Sequence, residues 1–226
     1  MAQRLIELRD GLLTRLMTLL RADPEVEAVA QIGSLARGND DAWSDLDLMI
    51  FMPPEVIATV SNRAWALAPL VIDSRHNAPA GATQINAVHV LDGLPFWVDL
   101  CVFPSSPNAE WPSERRVLFA RRGFPTGTDS FDELTSREPR QPPVPNVTRR
   151  THLALVPLTA KYIARGYAAH VRDMTRVIGP DPDYADLDLD RQLKRLREIA
   201  ADLADPEWSW LSTAVSGYLD LIERPR

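Results

Sequence analysis

The sequence predicts an α/β protein in which a mixed β-sheet flanked by helices precedes a C-terminal α-helical bundle. The chain has 226 residues, which at about 150 residues per domain allows one domain and a smaller second one. Strand-like runs occur before residue 104, and helical periodicity follows residue 148. Residues 138–145 contain four prolines, which indicates a stiff connector. We therefore predict a first domain over residues 1–140, a connector at about 138–147 and a helical domain over 148–226.

The first domain begins with a helix and two strands. Leucines at helical spacing predict a helix over residues 2–22, which Asp23-Pro24 ends. Val26 to Ile32 is a short β-prone run, and Asp45 to Phe51 has a strand pattern with an apolar second half. The polar, glycine-containing stretch between them is expected to be a turn.

A second helix and three more strands complete this domain. Proline is favoured in a first helical turn, so Pro53-Pro54 predicts a helix over residues 54–68. Leu70–Asp73, Gln84–Leu91 and Phe96–Phe103 have strand character, and Asp92-Gly93 is a strong hairpin signal between the last two.

The remaining sequence predicts three helices joined by short links, which suggests an antiparallel bundle. Arg149–Ile178 is expected to form one long helix that Gly179-Pro180 ends, with Pro157 kinking it or marking its true start. A second helix covers Asp190–Leu203. Asp205-Pro206 opens the third, with aspartate as the N-cap.

Composition excludes several classes of protein. Hydrophobic residues make up 45% and charged residues 25% of the chain, as in an average globular protein. No apolar run approaches the roughly 20 residues of a membrane span, and charges interrupt the N-terminal leucine pattern, so a secretory signal is not expected.

The single cysteine, Cys101, fits a reducing cytoplasm. A net charge of -6 argues against broad nucleic-acid binding and is compatible with a cationic small substrate.

The chemistry is concentrated between residues 33 and 47. Asp45 and Asp47 are two apart on a strand, so their carboxylates point to one face. Two such carboxylates repel each other, and Mg²⁺ is a natural partner because it takes one or two carboxylates plus phosphate oxygens. Gly33-Ser34 follows a strand and offers backbone N–H groups and a hydroxyl to a phosphate. The segment predicts a site for a phosphate-bearing ligand and its metal.

Asp99 supplies a third carboxylate in the apolar strand Phe96–Phe103. An acid there is costly to bury unless it is compensated, and metal ligation compensates it; a buried structural acid is the alternative. Asp45, Asp47 and Asp99 on two neighbouring strands are able to hold two Mg²⁺ ions about 3.5–4 Å apart, as in two-metal phosphoryl transfer.

Two motifs carry a resemblance to a known family. Gly33-Ser-Leu-Ala-Arg-Gly38, then Ser44-Asp-Leu-Asp-Leu48 and a later Asp99 on a strand, resemble the nucleotidyltransferase superfamily, which includes DNA polymerase beta and the antibiotic nucleotidyltransferases. This resemblance covers residues 26–103 and implies a nucleotidyltransferase fold. Lys161-Tyr-Ile-Ala-Arg165-Gly166 is similar to a stretch in the helical domain of aminoglycoside nucleotidyltransferases.

The resemblance implies roles for individual residues. The carboxylates would hold two Mg²⁺ ions and act in catalysis, and the triphosphate of ATP or another nucleoside triphosphate would lie on the first motif. On one continuous helix, Lys161, Arg165 and Arg172 fall within about 40° of one face, which would meet the triphosphate. The implied catalytic and metal-binding residues are Asp45, Asp47 and Asp99, and the implied nucleotide-binding residues are Gly33, Ser34, Arg37, Ser44, Lys161 and Arg165.

The implied reaction is attack of a substrate hydroxyl on the α-phosphorus, with pyrophosphate as the leaving group. The sequence leaves open whether a separate base is Glu110, Glu114 or Asp173. A small-molecule acceptor such as an aminoglycoside is the first hypothesis for the substrate. The alternative is a protein-modifying or antitoxin-type nucleotidyltransferase that acts on a partner protein.

Overall fold

The computed structural model describes residues 2–74, 78–136, 148–179 and 187–223. The chain divides into two compact units: Met1–His89 with Phe96–Pro145, and Val90–Pro95 with Asn146–Arg226. The predicted connector at 138–147 lies outside the described residues, as does Pro180. The domain boundary predicted near residue 140 stays a prediction.

The first unit is built on a mixed β-sheet, as the sequence predicts. Among the described residues, six strands lie in the order β3-β4-β5-β2-β1-β6. β2 pairs with β5 in parallel, whereas β1 pairs antiparallel with both β2 and β6. The strands are β1 (Ala28–Gln31), β2 (Leu46–Met52), β3 (Leu70–Asp73), β4 (Thr83–Leu91), β5 (Leu94–Pro104) and β6 (Arg116–Ala120). β6 is not predicted from the sequence, and its residues show no alternating pattern of burial.

Both faces of the central strands are buried. Leu46, Leu48 and Ile50 of β2 are at most 1% exposed on one face. On the other face, Met49 and Phe51 follow Asp47 and pack in a cluster with Trp111. The apolar half of the predicted strand thus lies in the core, and its polar start, which contains Asp47, is available for a ligand site.

The first helix, α1 (Ala2–Ala22), agrees with the predicted helix and buries a stripe of leucines. The expected turn after β1 is instead a short helix, α2 (Gly33–Arg37). The helix predicted over residues 54–68 is wrong in type: it is two 3-10 helices, Pro54–Asn62 and Ala64–Ala66. Its β-branched residues lose side-chain freedom in an α-helix, which disfavours a regular one.

The second unit contains four α-helices among its described residues, one more than predicted. The prediction of a single helix over Arg149–Ile178 is wrong, because Gly166 adopts a left-handed conformation with φ of 71° and ends the first of two helices. The other two begin after aspartate N-caps, Asp188 and Asp205, the latter through a short 3-10 turn. The helices are α4 (Arg149–Arg165), α5 (Ala168–Ile178), α6 (Leu189–Leu203) and α7 (Ser209–Glu223).

Helix α4 is the centre of this unit and contacts α5, α6 and α7. Pro157 lies inside α4 without ending it, and the side chains around it, Leu153, Val156 and Ala160, are fully buried. In the part of the chain that the structure describes, no helix is both long and apolar enough to cross a membrane.

Candidate active site

The sheet brings two of the three predicted carboxylates side by side. Asp47 on β2 is the register partner of Asp99 on β5, and the two strands are parallel. Neighbouring strands lie about 4.8 Å apart, and register partners point to the same face. Burial, and then the charges of Asp99 and Asp47, raise the pKa of the Cys101 thiol well above its ordinary value. The negative charges of both carboxylates therefore act on the same buried thiol.

The β4–β5 hairpin adds two amides that the sequence analysis did not identify. Asp92 and Gly93 both have positive φ angles, as in the two-residue turn that the sequence predicts. Counting back from this turn places Asn86 opposite Asp99, and Gln84 two residues further along the same face. Asn86 Nδ2 donates a hydrogen bond to Asp99 Oδ1. The hairpin signal together with this count was enough to find Asn86 from the sequence.

Gly33 lies directly against the Asp47 side chain. The Ile32 amide donates a hydrogen bond of 3.0 Å to the Asp47 carbonyl, which ties the end of β1 to β2. Gly33 then adopts a φ of +69°, and a Cβ atom added there would lie 3.1 Å from Asp47 Cγ and closer still to Oδ2. Only glycine fits this position, because any side chain would displace the carboxylate.

A cavity of about 200 Å³ opens at this point of the first unit. Asp47, Asp99 and Gly33 line it together with Arg37, the last residue of α2. Asp132 also lines it, from the short helix α3 (Phe131–Ser136), which the sequence analysis did not predict. The structure thus gathers two carboxylates, a cation and a glycine of the predicted set around one cavity.

Glu114 anchors the start of α3 beside this cavity. Its carboxylate accepts hydrogen bonds from the Phe131 amide at 3.0 Å and from Ser113 Oγ at 2.7 Å. Burial acts to raise the pKa of Glu114, but these hydrogen bonds and the charge of Arg37 hold it below its usual value. A carboxylate engaged in this way is suited to holding a loop and is a weak proton acceptor.

The other two candidates for a base have different surroundings. Glu110 lines a separate recess of about 240 Å³ with Met49 and Phe103. Asp173 is exposed on α5 and pairs with Arg176 at 3.3 Å. The identity of a base stays open among the predicted residues.

Asp45 and Ser44 belong to the loop before β2. Arg9 of α1, which is 4% exposed, donates to Asp40 Oδ2 at 3.1 Å and to the Asp41 carbonyl at 3.0 Å. Ser44 Oγ hydrogen-bonds within the same loop, to Asp41. Asp45 is partly buried at the end of this loop, which the hydrogen bonds from Arg9 hold against α1. Its part in metal binding, and contact of Ser44 with a nucleotide, stay predictions.

Lys161 and Arg165 lie one turn apart on α4 in the second unit. Lys161 is 3% exposed, and its Nζ lies 5.4 Å from the centre of the Tyr162 ring. Arg172 was expected on the same helix face, and this is wrong, because the break at Gly166 puts it on α5. The nucleotide-binding roles of Lys161 and Arg165 stay predictions.

The donor set fits a metal ion that arrives with a phosphate. Among the described residues, no group of three or more His, Cys, Asp or Glu side chains is placed to hold a metal by itself. Asp47 and Asp99 offer two adjacent carboxylates, and Mg²⁺ is commonly held by one or two carboxylates with substrate phosphates completing the shell. Ser34 is partly buried in the first turn of α2, and its contact with such a phosphate stays a prediction.

Comparison with known proteins does not assign this chain to a family. No protein-family model matches the chain, and no curated protein matches it in sequence. Among solved structures, the chain is similar to a STING-associated CdnE c-di-GMP synthase from Capnocytophaga granulosa, with 10% identity and a TM-score of 0.35 over 97% of this chain and 80% of that one. A likeness of this size is too weak to assign an activity to the chain.

Proposed function

We propose that this chain is a divalent-metal-dependent nucleotidyltransferase. It moves a nucleoside monophosphate, AMP from ATP, onto a hydroxyl group of a small molecule. The observation that supports this most is the register pair of Asp47 and Asp99 on adjacent parallel strands, at a cavity that Gly33 and Arg37 also line. Two carboxylates, a cation and a backbone cradle are the groups that phosphoryl transfer requires.

The nucleotide binds with its triphosphate at α2. Gly33 and Ser34 present backbone N–H groups and a hydroxyl, and Arg37 adds a charge at the cavity. Lys161 and Arg165 complete the neutralisation of the triphosphate. The guanidinium of Arg165 offers a fork of donors, whereas Lys161 acts as a point charge.

Asp45 and Asp47 would hold both metal ions, and Asp99 would complete the site of the catalytic one. When bound, two Mg²⁺ ions supply charge neutralisation on the phosphates and lower the pKa of the attacking hydroxyl. The residues of the chain orient the α-phosphate for in-line attack. The hydroxyl oxygen forms a bond to the α-phosphorus, the bond from that phosphorus to the β-phosphate oxygen breaks, and pyrophosphate leaves. The hydroxyl proton goes to a carboxylate or to water.

The acceptor is a cationic small molecule of the aminoglycoside type, and the enzyme is a cytoplasmic resistance factor. The net charge of -6 supports this, because an acidic surface attracts a polyamine-like antibiotic. The one cysteine, Cys101, is a buried free thiol, as expected for a protein in a reducing compartment.

The test is a mass-spectrometric screen for a nucleoside monophosphate adduct. The purified chain is incubated with each of the common nucleoside triphosphates and Mg²⁺ against aminoglycosides, lysate metabolites and lysate proteins. A small-molecule adduct that is absent with Asp47→Asn supports the proposal. An adduct found only on a protein would replace it by the protein-modifying alternative, and no adduct with any acceptor would contradict it.

A further inference from the structure

Asn86 contacts one of the two central carboxylates directly. Its Nδ2 donates a hydrogen bond to Asp99 Oδ1. The strand order β4-β5-β2 puts Asn86, Asp99 and Asp47 in a row across one face of the sheet, with Asn86 on the side of Asp99 away from Asp47. The amide therefore draws one oxygen of Asp99 towards β4.

We propose that Asn86 is the positioning residue of the metal site. It holds the Asp99 carboxylate in one rotamer, with Oδ1 on the amide and Oδ2 turned towards Asp47. This inference rests on the proposed function, since it assigns to Asn86 the orientation of a metal ligand. The order of the three strands places the Asn86 amide and the Asp47 carboxylate on opposite sides of Asp99.

Repulsion between the carboxylates explains why such a residue is needed. Asp47 and Asp99 are register partners on strands about 4.8 Å apart, and two like charges at this distance disfavour each other. The hydrogen bond from Asn86 holds one oxygen of Asp99 on the side away from Asp47, which limits this repulsion and fixes the rotamer of the carboxylate. The orientation of Asp99 is therefore set before the metal and nucleotide arrive.

The neutral amide is the right donor for this task. A lysine or arginine at residue 86 would neutralise Asp99 and compete with a cation for it. The amide of Asn86 donates a hydrogen bond to one oxygen of Asp99 and leaves the negative charge of that carboxylate in place. Ligating carboxylates are commonly hydrogen-bonded in this manner by groups outside the metal shell.

Strand formation does not account for an asparagine here. Asparagine is depleted in β-strands, yet Asn86 lies near the middle of β4, between the buried residues Ile85 and Ala87. The hairpin is already specified by its turn and by the backbone pairing of β4 with β5. The side chain of Asn86 therefore serves its contact with Asp99.

The experiment measures Mn²⁺ affinity in the presence of ATP by the electron paramagnetic resonance signal of free Mn²⁺, after subtraction of the Mn²⁺ that the same concentration of ATP binds without protein. Asn86→Leu removes the donor at similar size, and we expect the affinity to fall about 10- to 100-fold. His89→Leu is the matched control, because His89 lies on the opposite face of the same strand, and its affinity is expected to equal that of the wild type. Thermal unfolding of each variant checks the fold, and Asn86→Ser serves the same test should Asn86→Leu fail to fold.

A double-mutant cycle separates positioning from a general structural effect. If Asn86 acts through Asp99, then Asn86→Leu has no further effect on Mn²⁺ affinity in an Asp99→Asn background. An equal loss in both backgrounds overturns the proposal, as does wild-type affinity in Asn86→Leu. If the wild type itself binds no Mn²⁺ with ATP, the proposed function is wrong and this inference falls with it.

Discussion

At the scale of single residues, the site depends on positions where one side chain decides the geometry. Asp47 and Asp99 meet because β2 and β5 are parallel and in register. Gly33 leaves room for the Asp47 carboxylate, and Asn86 bonds Asp99 from the next strand. Each of these contacts places a carboxylate, so small substitutions here are expected to change ligand binding more than stability.

Gly33→Ala is expected to weaken metal-dependent ATP binding more than it weakens the fold. The new methyl group would displace the Asp47 carboxylate, and the φ of +69° adds backbone strain of about 1 kcal/mol. Gly38→Ala is the matched control, since Gly38 has a φ of +68° and nothing within 4 Å of an added Cβ. Isothermal titration with Mg²⁺ and ATP, together with thermal unfolding, measures both effects.

The two variants are expected to lose similar stability, but only Gly33→Ala should lose ATP affinity. Equal ATP affinities in both variants would show that the contact between Gly33 and Asp47 does not matter for binding.

The sequence predicted the two carboxylates at the cavity together with Gly33 and Arg37, and it missed Asn86 and Asp132. Asp47 and Asp99 were identifiable because an acid in an apolar strand is costly to bury unless something compensates it. The role of Asp45 stays a prediction. Asn86 could have been found by counting back from the Asp92-Gly93 turn, and α3 from Ser130 and Glu133, which form a capping box at its start. The approach of Asp132 to the cavity is set by tertiary packing. Contacts set by tertiary packing are not encoded in a local pattern.

At the scale of elements, prediction succeeded where periodicity or turn chemistry was strong. The helix α1, the Asp92-Gly93 hairpin and the strand β2 match their predicted ranges closely. The break between α4 and α5 was missed because the helical pattern continues across Gly166. A single left-handed residue ends the helix, and the spacing of apolar residues along the sequence does not reveal it.

Two glycine substitutions with opposite expected effects test these assignments. Gly166→Ala is expected to destabilise the fold by about 1 kcal/mol, because Gly166 caps α4 with a φ of 71°. Gly11→Ala is expected to stabilise it by roughly 0.5–1 kcal/mol, because Gly11 lies inside α1 with no neighbour within 4 Å of an added Cβ. Urea unfolding measures both, and a stabilising Gly166→Ala would contradict the assigned cap.

At the scale of the whole molecule, the proposed function draws on both units. The proposed metal ligands all belong to the first unit, and two of the proposed nucleotide-binding residues, Lys161 and Arg165, belong to the second. The chain contains 25 lysines and arginines, of which only Lys161 and Lys194 are lysines. Substituting each of these two lysines in turn therefore tests the proposed contribution of the second unit to nucleotide binding.

Lys161→Ala is expected to weaken binding of ATP with Mg²⁺ about tenfold or more, the loss of one hydrogen bond to a charged group. Lys194→Ala is the control, because Lys194 is an exposed lysine on α6. Titration calorimetry measures the affinity, and thermal unfolding separates it from any loss of stability at the buried Lys161. Equal ATP affinities in the two variants would assign Lys161 to packing alone.

The central claim is that Asp47 and Asp99 bind a nucleoside triphosphate through a divalent metal. Titration calorimetry of ATP into the wild type and into Asp47→Asn, each with Mg²⁺ and with EDTA, tests it most directly. The account predicts that the wild type binds ATP at least about tenfold more tightly with Mg²⁺ than with EDTA, and that Asp47→Asn loses this difference while keeping its thermal stability. Wild-type ATP binding that is absent or indifferent to Mg²⁺, or an Asp47→Asn variant that retains the metal dependence, would contradict it.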